Sequence, residues 1–153
     1  MNGRGASEIL YHLVRVGCGL IFIYASWGKI LDPPAFARIV QNYQLLPPAA
    51  VHPVAVVLPW VEAVCGLALV SGVGAGGGLA VFTGLMAVFT GALALNAVRG
   101  VDTECGCFSI VAGAAGRTAD DLVRDVLLLA AAVWALAHRV RRNAGHPAAG
   151  PQP

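Results

Sequence analysis

The stretch 79–98 carries no charged side chain. A helix rises about 1.5 Å per residue, so this run alone matches the roughly 30 Å hydrocarbon core of a bilayer. Three further segments, 9–31, 53–70 and 121–138, are of similar length and mostly apolar. The last is polar in its first turn and apolar over 126–137. Their apolar character is continuous, not alternating, which argues for helices over barrel strands, and four strands could not close a barrel.

Composition removes the soluble alternatives. Hydrophobic residues make up 58% of the 153 residues and charged residues only 12%, where a soluble domain carries about 25% charged. A soluble fold of this size cannot hide so much apolar surface, and disorder needs low hydrophobicity. The net charge of +2 comes with no basic stripe, so no nucleic-acid partner is expected. The expected fold is all-α: one domain, a bundle of four transmembrane helices over 9–138, with the lipid bilayer as its first partner.

The connections differ in character. Residues 71–78, Ser-Gly-Val-Gly-Ala-Gly-Gly-Gly, read as a tight uncharged turn. The connection 32–52 and its edge hold Pro33, Pro34, Pro47, Pro48 and Pro53, all helix breakers. Within it, 34–43 predicts a short helix with Phe36, Ile39, Val40 and Tyr43 on one face. The third connection, 99–120, contains Cys105-Gly106-Cys107-Phe108. The tail 143–153 is rich in Gly, Pro and Ala and reads as disordered. No internal repeat is visible. The N-terminal apolar stretch is too long for a cleavable signal, contains Arg15, and has no small-residue cleavage site after it, so it reads as retained.

Four crossings put both termini on one side. Arg4 precedes the first segment, and Arg139, Arg141 and Arg142 close the fourth. The positive-inside rule then places residues 1–8 and the basic tail 139–153 in the cytoplasm of a bacterial inner-membrane protein. Lys29, Arg38, Arg99, Arg117 and Arg124 count against this orientation. In it, Cys105 and Cys107 face the oxidising side, where disulfide chemistry belongs.

The four cysteines are of two kinds. Cys105 and Cys107, one glycine apart, can close a small strained disulfide ring, and strain makes a disulfide easier to reduce. A permanent staple gains most from closing a long loop, and this ring closes almost none. The functional reading is therefore a redox-active dithiol. The competing readings are two ordinary loop cysteines, partners of other cysteines, or a metal site. No metal is expected, because zinc needs two more ligands and the loop offers only Asp102 and Glu104. Cys18 and Cys65 lie inside segments one and two and read first as small apolar packing residues. The alternative is a second thiol pair that relays electrons.

Two ionisable residues fall inside the apolar segments, Arg15 in the first and Glu62 in the second. A charge at mid-bilayer costs at least about 2.5–3.5 kcal/mol. The readings are a buried Arg15–Glu62 pair joining helices one and two, a proton or quinone role for Glu62, or a neutral Glu62. Lys29, Trp27, Trp60 and Arg99 gather toward one rim. The tryptophans suit an interfacial belt, or the four residues together hold a quinone head group, whose carbonyl a cation stabilises. In segment three, Gly84 and Gly91 offer small-residue packing surfaces.

An ordered set of motifs resembles a known family. Lys29-Ile-Leu-Asp32, Phe36, Tyr43-Gln-Leu-Leu-Pro47, Leu58-Pro59-Trp60-Val-Glu62 with Gly66, Arg99-Gly100 and Cys105-Gly-Cys-Phe108 look like the methylamine-utilisation MauE family, which is similar to DoxX-like membrane proteins. Arg124-Asp125 resembles the family's Arg-Asn, with Asp in place of Asn. The resemblance implies a four-helix membrane bundle similar in outline to the quinone reductases DsbB and VKOR, whose active pair is Cys-X-X-Cys. It also implies a role in maturing the disulfide-rich small subunit of methylamine dehydrogenase, beside an extracytoplasmic thioredoxin-like protein. The resulting expectation is a membrane thiol–disulfide redox protein that passes electrons between Cys105–Cys107, that partner and a quinone. The rivals are a non-enzymatic scaffold for a maturation partner and a DoxX-like subunit linking a sulfur compound to quinone.

Overall fold

A computed structural model of the chain describes residues 3–99 and 118–144. All five elements in them are helices: α1 Gly3–Leu31, α2 Pro33–Asn42, α3 Pro48–Ser71, α4 Ala75–Val98 and α5 Thr118–Ala144. The Cys105–Gly106–Cys107 motif and most of the Gly/Pro/Ala tail lie outside the described residues.

The chain breaks where its prolines dictate. Pro33 pushes Asp32 out of the helical region, to φ −133° and ψ 74°, as the residue before a proline requires. Asp32 then caps α2, its Oδ1 accepting from the Ala35 N–H at 2.9 Å. Prolines occupy the first turn of α2, where no N–H is needed. Phe36 is buried on the inner face of α2, the face that the Phe36, Ile39, Val40, Tyr43 spacing predicts.

Several boundaries differ from the sequence expectation. α3 begins at Pro48, not at residue 53, and runs through Pro53 and Pro59. A proline forfeits one hydrogen bond, and membrane helices tolerate this because neighbouring helices re-satisfy the freed groups. α4 begins at Ala75, not at residue 79. The true turn is only Gly72–Gly74, with Gly72 at φ +84° and Gly74 at φ +66°, the left-handed conformation that glycine supplies. At the far end, α5 continues past residue 138 to Ala144.

α1 packs along α3, α4 along α5, and α2 lies against α3. The common core holds Tyr11, Phe22, Leu69, Leu79, Phe82 and Met86, joined by Ala132 and Ala135 of α5. Phe22 and Phe82 meet at 4.2 Å between ring centroids. Two backbones approach closely at Gly19 and Gly66. A Cβ on either would stand 2.8 Å from the other's carbonyl oxygen, the small-residue contact typical of membrane helices. Gly84 and Gly91 have no such role: a Cβ there would meet nothing within 4 Å.

Three helices are long and apolar enough to cross a membrane: Gly5–Leu31, Pro48–Ser71 and Ala75–Val98. Large side chains such as Leu13, Val64, Leu67 and Val88 are exposed on them, as lipid-facing residues are. α5 has the length, 27 residues, but charges at both ends leave too short an apolar run to meet the same measure.

Candidate functional site

Lys29 and Glu62 form the polar centre of the bundle. Lys29 Nζ donates to Glu62 Oε1 at 2.7 Å and to Oε2 at 2.8 Å. Both side chains are 1% exposed. The ammonium also faces the rings of Phe36, at 4.9 Å, and Phe89, at 5.4 Å. Three helices and the short α2 thus enclose one ion pair. Ser26, one turn before Lys29, is buried as well and donates to the Ile23 carbonyl at 2.9 Å.

The partner of Glu62 is not Arg15, as equal depth suggests, and side-chain direction explains why. α1 and α3 are antiparallel and in register at Gly19–Gly66. Helical side chains lean toward the N-terminus of their own helix. In antiparallel neighbours Lys29 and Glu62 therefore lean toward each other, whereas Arg15 leans away from Glu62. Arg15 instead lies over the α3–α4 turn, where a Cβ on Gly72 would stand 2.6 Å from its Nη1. Among the described residues its Nε has no hydrogen-bond partner.

Beside the ion pair, a cavity of about 300 Å³ opens under α2. Its wall includes Lys29, Phe36, Tyr43, Leu58, Leu85 and Phe89. Apart from Lys29 and Tyr43, every lining residue is apolar. Trp27 and Trp60 do not line it; they are 66% and 58% exposed and face outward, as belt residues do. Arg99 is exposed at the C-cap of α4. The expected rim of Lys29, Trp27, Trp60 and Arg99 is thus not gathered into one pocket, and Lys29 alone of the four reaches the cavity.

Cys18 and Cys65 are buried free thiols in the same core. Cys65 Sγ donates to the Gly78 carbonyl at 3.1 Å, a contact that ties α3 to the start of α4. Among the described residues, no group of three or more His, Cys, Asp or Glu is placed to hold a metal ion.

The opposite end of the bundle carries a polar clamp that sequence reasoning missed. Arg139 Nη1 donates to the Tyr11 hydroxyl at 3.1 Å. His138 stacks between Tyr11 and Trp134, at 5.6 and 5.5 Å. Arg142 pairs with Glu8. These contacts fix the N-terminal end of α1 to the C-terminal end of α5. The N-terminal end of α5 therefore lies with the C-terminal ends of α1 and α4. Arg99 and Thr118, which flank the Cys105–Cys107 segment, lie at the end of the bundle that holds α2. At that end Asp125 is fully buried, with Arg124 bonding its Oδ1 at 3.3 Å; Arg124 also pairs with Asp121.

Comparison with known proteins follows the same outline. The family model for methylamine utilisation protein MauE matches residues 7–138. The chain is 36% identical over 96 residues to the methylamine utilization protein MauE of Paracoccus denitrificans, covering 62% of this chain and 52% of that protein. It is 33% identical over 104 residues to the protein of that name from Methylorubrum extorquens, covering 67% and 56%. A third, from Methylophilus methylotrophus, is 35% identical over 89 residues, covering 58% and 47%. The chain spans about half the length of these curated relatives. No solved structure matches it.

Proposed function

The chain belongs to the methylamine utilisation MauE family, and from that premise we propose that it is a membrane thiol–disulfide redox protein serving the maturation of extracytoplasmic proteins. A dithiol on a thioredoxin-like partner attacks a Cys105–Cys107 disulfide. Through a mixed disulfide, the partner leaves oxidised and the pair is left as two thiols. A membrane quinone then takes the two electrons and two protons, restoring the disulfide. The named relatives are methylamine utilization proteins, so the client proposed here is a protein of methylamine utilisation. α5 is the fourth crossing. The termini are cytoplasmic, with Arg139, Arg141 and Arg142 on the inner side. The burial and pairing of Lys29 support this orientation, since it takes one positive charge away from the opposite face.

The observation that carries the reading is Cys105-Gly106-Cys107 inside the family match, attached at Arg99 and Thr118 to the end of the bundle that holds the buried ion pair and the cavity. Replacing Cys105 and Cys107 with serine abolishes oxidation of a thioredoxin-like partner in membrane vesicles and leaves the protein in the membrane. Undiminished partner oxidation by the double variant would contradict the reading.

A further inference from the structure

We propose that the cavity under α2 is a binding site for a neutral, lipid-soluble carbonyl compound of the quinone class, with a carbonyl oxygen accepting a hydrogen bond from Lys29 Nζ. The naming of the ligand class rests on the redox reading above; the site itself rests on three features of the cavity.

First, among the described residues Lys29 has a donor to spare. An ammonium carries three N–H groups, and the two oxygens of Glu62 at 2.7 and 2.8 Å occupy two of them. What faces the ammonium otherwise is the rings of Phe36 and Phe89, at 4.9 and 5.4 Å. Both rings line the cavity, as does Lys29 itself. In a site this apolar an oxygen acceptor is the stronger partner for that third N–H.

Second, the charge is already balanced. Lys29 and Glu62 are both 1% exposed and neutralise each other. A carboxylate or phosphate ligand would add an unpaired charge to an apolar enclosure, which is strongly unfavourable. The site therefore suits an uncharged acceptor, and a carbonyl is one.

Third, the shape and lining suit a ring on an apolar tail. The cavity measures about 300 Å³, at the lower edge of ordinary ligand pockets, which are about 300–1,000 Å³. Phe36 and Phe89 present aromatic surface to a flat ring. Leu45 and Leu46, at the mouth between α2 and α3, are 43% and 38% exposed, leaving an apolar way in.

The test is binding by the purified full chain in detergent, read as a shift in thermal unfolding midpoint, with decylubiquinone as probe and decylbenzene, which has the ring and tail but no oxygen acceptor, as control. Decylubiquinone raises the midpoint saturably and decylbenzene does not. Ala92→Phe, which fills the cavity, removes the shift. Where that variant fails to fold, the double replacement Lys29→Met with Glu62→Leu takes its place, since it keeps an apolar core but deletes the donor. It weakens binding about tenfold, the loss of one hydrogen bond from a charged group. Cys105→Ser with Cys107→Ser binds as the native chain does. Failure of the redox reading would therefore appear in partner oxidation and leave this binding intact. No saturable shift, an equal shift with decylbenzene (an apolar tail as occupant), or unchanged affinity in the Lys29/Glu62 double variant would overturn the proposal.

Discussion

Lys29 and Glu62 meet across α1 and α3 at 2.7 Å with both side chains 1% exposed. Their positions along the two helices are not level. The pair forms because each side chain leans toward the start of its own helix, and the helices run in opposite directions. Burying both charges is costly, and their attraction offsets that cost only while both are present.

The first prediction follows from this pairing. Lys29→Met and Glu62→Leu, made singly, each strand a buried charge and lower stability by about 3–5 kcal/mol. Together they restore most of the loss, because well-packed apolar residues replace a buried ion pair at little cost. Thermal unfolding of the four proteins in detergent closes the double-mutant cycle. Additive losses would show that the two charges do not depend on each other.

Gly19→Ala and Gly66→Ala should destabilise the α1–α3 contact strongly, because each Cβ would lie 2.8 Å from a backbone carbonyl that cannot move without shifting a helix. Gly84→Ala and Gly91→Ala meet open space and gain helix propensity, up to about 1 kcal/mol each. Unfolding midpoints of the four variants check the contrast. Equal effects at all four positions would contradict the register assigned to α1 and α3.

Tyr11→Phe removes the acceptor of the Arg139 hydrogen bond while keeping the ring that stacks on His138. A hydrogen bond to a charged group contributes about 1.5–3 kcal/mol. The variant should lose stability within that range and speed proteolysis near the ends of α1 and α5. Unchanged stability and unchanged cleavage would show that the clamp holds nothing.

Cys18→Ala and Cys65→Ala separate packing from electron relay. Both thiols sit in the core, and Cys65 bonds the Gly78 carbonyl. The packing role predicts a modest loss of stability and full partner oxidation by the surviving Cys105–Cys107 pair. Loss of oxidation in a stable, membrane-inserted double variant would instead make the core pair a redox relay.

Much of this was legible from residue order. Apolar runs located the three helices long enough to cross a membrane, and the spacing of Phe36, Ile39, Val40 and Tyr43 predicted the inward face of α2. Prolines misled at the start of α3, because a membrane helix absorbs Pro53 where a soluble one would break. Glycines misled at α4, because residues 76–78 read as turn but continue the helix. The partner of Glu62 was missed because counting depth ignores side-chain lean, a rule that was available from sequence alone. The Tyr11–Arg139–His138 clamp depends on which helices adjoin, and no local pattern carries that information. Trp27 and Trp60 read either as belt residues or as part of a quinone rim; their exposure separates them from Lys29.

The most direct test of the redox account is thiol trapping of Cys105 and Cys107. Spheroplasts are treated with a membrane-impermeant alkylating reagent before and after addition of a quinone analogue. The account predicts that the pair is labelled from outside when reduced and becomes protected as the quinone pool is oxidised. A pair that stays oxidised, indifferent to quinone and to mild reductant, would contradict it and leave Cys105 and Cys107 as a fixed closure of their loop.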